Sequence, residues 1–182
     1  MPPARNYVEQ GTMSDEMSQN DIDRQFQLRK TDPEKFLELM NALVAEHPDD
    51  PNSYFARHQA WSRLGQFETA LADLDKSLDL EDHYVTHRAR GRILHQLGRY
   101  QEAIEAFNRC ERMEPAQWGR FCALVRADCH ARLGNETAAL ADCSTMPDDH
   151  WTPGLFGAPA GNKQEVAVEL RRRAAAAREN KG

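Results

Sequence analysis

Apolar and small residues recur at helical spacing along most of this chain, and a Leu-Gly pair interrupts the pattern at regular distances. Within residues 84–97, positions such as Ala89 and Ile93 fall about one helical turn apart. Gly98 follows where a helix commonly ends, since glycine enters the left-handed conformation at little cost. A second apolar stripe covers residues 100–110, so the pattern predicts a hairpin of two helices.

The same hairpin pattern occurs three times. The stretches LGQFETALADLDKS, LGRYQEAIEAFNRC and LGNETAALADCSTM begin at Leu64, Leu97 and Leu133, which are 33 and 36 residues apart. Each turn is followed by a small residue where the two helices are expected to cross closely; these are Ala70, Ala103 and Ala139. A period of this size is typical of a helical solenoid.

These features together resemble the tetratricopeptide repeat (TPR). Its hallmarks are a glycine turn, an aromatic just after it, a small residue at the crossing, and a terminal proline such as Pro115. The resemblance covers about residues 51–146, although Glu136 replaces the aromatic in the third copy. It implies an all-α fold: a right-handed TPR-like solenoid of antiparallel helix hairpins with a C-terminal capping helix. The small stand-alone bacterial type of TPR protein is the form we expect.

One hairpin is too short to fold alone, so each hairpin is expected to stack on its neighbours. This expectation determines the predicted organisation of the chain. Asn162, with Glu165 three residues on, predicts the start of a final helix that caps the stack. A helix docked on a partner, or detached, is the alternative. The expected segments are a flexible lead (1–18), a degenerate hairpin (19–50), repeats at 51–83, 84–116 and 117–147, a Pro/Gly-rich loop (148–162) and the capping helix (163–182).

Composition narrows the classes of function. The 182 residues carry a formal net charge of −6, which argues against broad binding to nucleic-acid backbones. No run approaches the roughly 18–20 apolar residues of a membrane helix, and the first residues lack the apolar core of a secretory signal. The four cysteines lack CxxC spacing and are expected in the core. We therefore expect a cytoplasmic protein without nucleic-acid or membrane binding.

Candidate chemistry is sparse. The stretch GLFGAPAGNK lacks the GK[ST] ending and the preceding strand of a phosphate loop. Cys122, Cys129 and His130 lack the paired spacing of zinc ligands, and a core position explains the cysteines better. No nucleophile–base arrangement can be argued from spacing. The sequence therefore predicts no enzymatic activity, no cofactor and no metal.

The TPR resemblance implies a concave groove lined by the first helix of each hairpin. The residues expected to bind a partner there are Phe55, Gln59, Arg63, Arg88, Arg92, His95, Phe121, Asp128 and Arg132. The Lys/Asn clamp that some TPR domains use for chaperone tails is absent from the matching positions. We therefore expect a protein or peptide partner other than such a tail.

Arg88 and Arg92 are four residues apart, so they lie on one helix face in the centre of this groove. Guanidinium groups suit carboxylates, and an acidic segment of a partner is our hypothesis. The alternative is that both arginines are solvated or paired with acidic residues of a neighbouring helix. Trp118 is expected at the joint between repeats, and Trp151 is expected to pin the final helix.

The predicted function is a non-catalytic adaptor that binds a segment of a partner protein in its groove. An immunity protein or a secretion chaperone that masks a toxin or client is the alternative. A cofactor- or RNA-binding role is disfavoured by the negative charge and the missing aromatic platforms. Self-association through the same groove stays open.

Overall fold

A computed structural model describes residues 27–148, 151–153 and 157–180, although the side chains of residues 116–121 lie outside that description. The predicted lead and the first residues of the degenerate hairpin, 19–26, also fall outside the described residues. Residues 27–31 are helical. The subsequent helices are α1 (Pro33–Glu46), α2 (Pro51–Arg63), α3 (Phe67–Leu80), α4 (Tyr84–Gln96), α5 (Tyr100–Met113), α6 (Pro115–Arg132), α7 (Glu136–Ser144) and α8 (Lys163–Glu179).

Short local signals in the sequence start these helices. Asp32 caps α1 by accepting a hydrogen bond from the Lys35 backbone N–H at 3.1 Å, and Pro33 follows as the first helical residue. Asp50 caps α2 in the same way, with Pro51 next. Proline suits this position because its missing N–H would have no partner within the helix.

Glycine ends the first helix of each of the three repeats. Gly65, Gly98 and Gly134 have φ angles of 72°, 73° and 84°, a region that other residues enter at a cost. The residue after each glycine donates its backbone N–H to a carbonyl five positions back, at 2.8–2.9 Å. The predicted glycine turns are therefore confirmed, and they reverse the chain between α2 and α3, α4 and α5, and α6 and α7.

Clusters of buried side chains join neighbouring helices along the stack. Buried side chains from α3, α4, α5 and α6 form the largest cluster, while Phe36 and Met40 of α1 pack on Ala60 of α2 in a second one. The alanines predicted at the helix crossings, Ala70, Ala103 and Ala139, are fully buried. All four cysteines are buried and free, as predicted for core residues.

Partly buried Arg–Asp pairs connect the two helices of a hairpin. Arg57 of α2 donates two hydrogen bonds to Asp73 of α3, at 2.7 and 2.9 Å. Arg126 of α6 makes the same paired contact with Asp142 of α7, at 2.7 and 2.8 Å. Two parallel hydrogen bonds of this kind are typical of a guanidinium group facing a carboxylate. The two pairs fix the register between the helices of the first and third repeats.

The last helix closes the stack. Helix α8 packs on α6 and α7, and its apolar seam of Val166, Leu170 and Ala174 is at most 1% exposed. Asn162 and Glu165 form the predicted capping box at its start. A two-residue antiparallel pair, β1 (Trp151–Thr152) with β2 (Gly161–Asn162), precedes it. The predicted all-α solenoid with a C-terminal capping helix is confirmed.

None of the helices in the described residues is apolar over the length needed to span a membrane.

Candidate functional site

A groove lies between α2 and α4, with residue Arg29 at its edge. It encloses a volume of about 640 Å³. Its lining residues come from the helix before α1, from α2, from the start of α3 and from α4: Arg29, Phe55, His58, Gln59, Ser62, Arg63, Phe67, Val85, Arg88, Ala89, Arg92, Ile93 and Gln96. We call this site the arginine-lined groove.

Positive charge is concentrated in the arginine-lined groove. Four of its lining residues are Arg29, Arg63, Arg88 and Arg92, and the lining contains no Asp or Glu among the residues that the structure describes. The positive charge of this lining contrasts with the charge of the whole chain, which is formally −6. The groove is therefore a local basic site in an acidic protein.

The arginines are close enough to influence one another. Burial, and then the charge of Arg88, lower the pKa of Arg92 to about 10. Burial, and then the charge of Arg63, lower the pKa of Arg29. Since a pKa of about 10 still leaves Arg92 charged at neutral pH, the groove holds like charges near one another. An anion bound there would relieve this repulsion.

One wall of the groove rests on a buried, neutral histidine. The imidazole of His58 lies against the Phe55 carbonyl through Nδ1, and the Phe55 and His58 rings are 4.7 Å apart. Burial is the main reason that the pKa of His58 falls to about 3, and the charge of Arg92 adds to the effect. His58 therefore stays uncharged at neutral pH and positions Phe55 without adding to the positive charge.

Five residues of the predicted partner-binding set meet in the arginine-lined groove: Phe55, Gln59, Arg63, Arg88 and Arg92. Gln59 accepts a hydrogen bond from Arg29 Nη1 at 2.5 Å, which joins the helix before α1 to α2. Arg29 and His58 were missing from the predicted set. Arg29 lies in the degenerate first hairpin, where no repeat register identifies a groove position, and His58 lies one turn from Phe55 on the same helix.

His95 and Asp128 lie elsewhere, and the expectation that they face an open groove is wrong in this structure. Their side chains are 4% and 0% exposed, and His95 Nε2 lies 2.6 Å from Asp128 Oδ2. Arg132, which is partly exposed, donates from Nε to the same carboxylate at 2.7 Å. These three residues form an internal cluster between α4 and α6. The side chain of Phe121 is outside the described residues.

The capping helix completes this cluster and covers it. Arg173 of α8 donates from Nη1 to Asp128 Oδ1 at 2.5 Å and to the Gly157 carbonyl at 2.7 Å. Ala158 packs against the largest core cluster, and Gly157 lies beside the His95 ring. The tail therefore occupies the surface that the helical pattern assigned to the groove of the third repeat.

Asp128 stays ionised inside this cluster. Burial alone would raise the pKa of Asp128, but hydrogen bonds from His95 and Arg132 and the charges of Arg173 and Arg132 together hold it below its ordinary value. A buried carboxylate that is bonded by two arginines and a histidine serves as a structural contact. Asp128 and His95 therefore connect the capping helix to the second and third repeats.

Trp151 does not pin the final helix by burial, since its side chain is 61% exposed. Its backbone pairs with Asn162 in the short antiparallel pair. The Trp118 side chain lies outside the described residues. Within the described part of the chain, no group of three or more His, Cys, Asp or Glu side chains is arranged to hold a metal ion. The arginine-lined groove thus presents guanidinium, amide and aromatic groups to a ligand.

Comparison with known proteins identifies the repeat. Residues 35–110 match the family model described as anaphase-promoting complex, cyclosome, subunit 3. Tetratricopeptide repeat protein 16 of Mus musculus is 31% identical over 119 residues, which cover 58% of this chain and 15% of that protein. A small glutamine-rich tetratricopeptide repeat-containing protein 2 of Mycosarcoma maydis is 27% identical over 81 residues, 44% of this chain and 23% of that protein. This chain is a tetratricopeptide repeat protein.

Solved structures agree with the TPR assignment at the level of the fold. MamA from Desulfovibrio magneticus RS-1, residues 41 to the end, superposes with a TM-score of 0.64 at 15% identity, covering 87% of this chain and 93% of that one. A thermophilic TPR protein of Thermus thermophilus gives a TM-score of 0.56 at 20% identity, with 87% and 78% covered.

TPR domains are in general modules for protein–protein interaction, and this chain is such a module. It spans less than a quarter of the length of the curated relatives named above. What those longer proteins do as wholes is therefore not carried over to it.

Proposed function

We propose that the arginine-lined groove binds an acidic segment of a partner protein, so that the chain acts as an adaptor. The observation that carries this proposal is the gathering of four guanidinium groups around one groove in a protein with a net charge of −6. Guanidinium forks bind carboxylates through paired hydrogen bonds. Each charge-assisted bond contributes about 1.5–3 kcal/mol, and less where solvent screens it.

Apolar side chains in the same groove supply the rest of the affinity. Phe55, Phe67 and Val85 are partly exposed there, beside the buried Ile93. Micromolar binding needs about −8 kcal/mol, which two or three carboxylate contacts alone do not reach once solvent screening is included. We therefore expect a partner segment that combines acidic residues with at least one apolar side chain.

The test uses the full chain and a fluorescein-labelled peptide of alternating Glu and Leu residues, with binding followed by fluorescence anisotropy. Arg88→Glu/Arg92→Glu should weaken binding at least 10-fold while far-ultraviolet circular dichroism stays unchanged. Raising the salt concentration from about 0.05 to 0.5 M should also weaken binding, because solvated ion pairs are screened.

The matched control is Lys76→Glu/Arg112→Glu, which changes the net charge equally. Both residues are exposed, on α3 and α5, and neither lines the groove. The control should keep the affinity of the original chain within about twofold. Equal loss in both variants, or no loss in either, would show that the groove is not the binding site. Affinity purification with mass spectrometry, again comparing the two variants, would then identify the natural partner.

A further inference from the structure

An acidic stretch of the sequence lies a few residues before Arg29, the first residue of the chain that lines the arginine-lined groove. Residues 13–23 read MSDEMSQNDID, with four carboxylates at Asp15, Glu16, Asp21 and Asp23 and no Lys or Arg. We call this stretch the acidic N-terminal segment. Its composition, acidic residues with intervening Met and Ile, is the composition that the groove is expected to bind.

We propose that the acidic N-terminal segment binds in the arginine-lined groove of its own chain and competes there with the acidic segment of a partner. This inference rests on the proposed function and adds its regulation. Four carboxylates in the segment match four guanidinium groups in the groove, Arg29, Arg63, Arg88 and Arg92. Met17 and Ile22 provide the apolar side chains that would contact Phe55 and Val85.

The connection between segment and groove is short. Arg29, which lines the groove and contacts Gln59 of α2, is only six residues after Asp23. Six residues span at most about 20 Å when extended, and the eight residues from Asp21 span at most about 28 Å, so both carboxylates are held within reach of the groove. A short tether of this kind gives an effective concentration on the order of millimolar.

Binding of the acidic N-terminal segment in the groove would lower the apparent affinity of the groove for a partner. An internal segment with a dissociation constant of about 0.1–0.5 mM, at an effective concentration of about 1 mM, reduces the apparent affinity for an external ligand roughly 3- to 10-fold. Partners with several closely spaced carboxylates would displace the segment, whereas weakly acidic ones would be excluded. The segment would thereby act as a selectivity filter for the groove.

The test neutralises the segment in the full chain by Asp15→Asn, Glu16→Gln, Asp21→Asn and Asp23→Asn. Binding of the labelled Glu-Leu peptide should become about 3- to 10-fold tighter. The matched control carries Glu38→Gln, Asp49→Asn, Asp79→Asn and Glu105→Gln, four exposed positions outside the groove with the same change in net charge. The control should change the affinity less than twofold. Equal tightening in both variants, or none in the neutralised chain, would overturn the inference.

A second measurement needs no external ligand. Amide chemical shifts of Gln59, Arg88 and Arg92, measured by nuclear magnetic resonance, should differ between the original and the neutralised chain and not between the original and the control. A synthetic peptide of residues 12–25, added to the neutralised chain, should move these signals back towards their original positions. Unchanged shifts on neutralisation would refute the internal contact.

These readouts separate the two proposals. If the Glu-Leu peptide binds neither chain while the amide shifts respond as expected, partner binding fails and the internal contact stands. If the peptide binds and depends on Arg88 and Arg92 but neutralisation has no effect, partner binding stands and the internal contact fails. Shifts that fade on tenfold dilution, together with a dimer by sedimentation, would show that the segment of a second copy fills the groove and would overturn the internal form.

Discussion

At the scale of single residues, Gly91 is a position that the helical pattern alone does not explain. A Cβ added to Gly91 of α4 would lie 2.8 Å from Cε1 of Phe107, whose side chain is fully buried in α5. The predicted crossing alanines are confirmed, but in the second repeat the helices approach so closely that a glycine is needed as well. The sequence shows the glycine, and only the position of Phe107 gives its reason.

We expect Gly91→Ala to lower the free energy of unfolding by about 1–2 kcal/mol. The added methyl group overpacks the core against Phe107, which costs about 1–3 kcal/mol, while alanine recovers up to about 1 kcal/mol in helix propensity. Urea denaturation followed by circular dichroism measures the difference. In a Phe107→Leu background the same substitution should cost less, and a stability gain from Gly91→Ala alone would contradict the close approach.

His58 gives a pH dependence with a definite sign. Its pKa is about 3 in the folded chain against an ordinary value of 6.5, so the unfolded chain binds more protons between these two values. Stability is therefore fully present above pH 6.5 and falls as the pH drops towards 3, by up to about 1.4 kcal/mol per pH unit from this residue.

The measurement compares the free energy of unfolding of the original chain and of His58→Gln at pH 7, 6, 5 and 4. We expect the original chain to lose more stability over this range, because glutamine does not titrate. The pKa of Asp128 is held below its ordinary value of 3.8, so the stability that this residue contributes is lost mainly below about pH 4. Parallel curves for the two proteins would mean that His58 is accessible to protons in the folded state.

At the scale of the helices, the repeat register explains which arginines hold the hairpins together. Arg57, Arg90 and Arg126 are 33 and 36 residues apart, the same spacing as the glycine turns. Arg57 and Arg126 pair with an Asp 16 residues later, but at the equivalent position in the second repeat the chain has Ala106. Arg90 instead bonds Asp75 of the preceding hairpin, at 2.6 Å. The repeated Arg–Asp spacing of 16 residues is therefore a sequence pattern from which two of these contacts could have been predicted.

The register also explains why part of the predicted groove is covered. Gln59, Arg92 and Asp128 occupy equivalent positions in the three repeats, again 33 and 36 residues apart. The helical period predicted one face for all three residues, and Gln59 and Arg92 line the arginine-lined groove. Asp128 is buried because Arg173 of α8 reaches it, a contact 45 residues away that no local period encodes.

We expect Arg173→Ala to loosen α8, because it removes the contacts of that helix with both Asp128 and the Gly157 carbonyl. The loss should be about 1–3 kcal/mol, since Asp128 keeps His95 and Arg132 as partners. Hydrogen–deuterium exchange read by mass spectrometry should show faster exchange over residues 163–179.

Arg172→Ala is the adjacent control. Arg173 and Arg172 both bond Glu169, at 2.8 and 2.7 Å. The Arg172 side chain is 69% exposed, however, and Asp128 is not among its bonding partners. Pairs that are this exposed contribute little to stability, so exchange over α8 should stay close to that of the original chain. Equal effects of the two substitutions would show that the Asp128 contact does not hold the capping helix.

At the scale of the whole molecule, the chain is a stack in which each unit contacts its neighbours. Core clusters lie between α1 and α2, among α3 to α6, and among α6, α7 and α8. In such an arrangement stability is a sum of local terms and the terminal unit needs a cover. The adaptor role and the alternative of masking a toxin or client use the same groove, so the choice between them stays a prediction, as do the stand-alone bacterial type and the cytoplasmic location.

We expect Leu170→Lys to release the cap and to destabilise the third repeat before the first. Leu170 is fully buried against a cluster that includes Ala131 and Met146, and a charged side chain cannot stay there unpaired. Hydrogen–deuterium exchange should rise first in α6, α7 and α8, while α2 and α3 keep their protection. A uniform rise along the chain would show that the stack unfolds as a single unit.

The sequence by itself determined the local features of this protein: helix starts, glycine turns, crossing alanines and the face on which Arg88 and Arg92 lie. Each of these depends on residues within one or two helical turns, or on a repeat that shows the same dependence three times. Only the tertiary structure decided that Arg29 joins the groove, that Gly91 makes room for Phe107 and that α8 covers Asp128. These outcomes depend on side chains brought together from distant parts of the chain, and no period in the sequence carries that information.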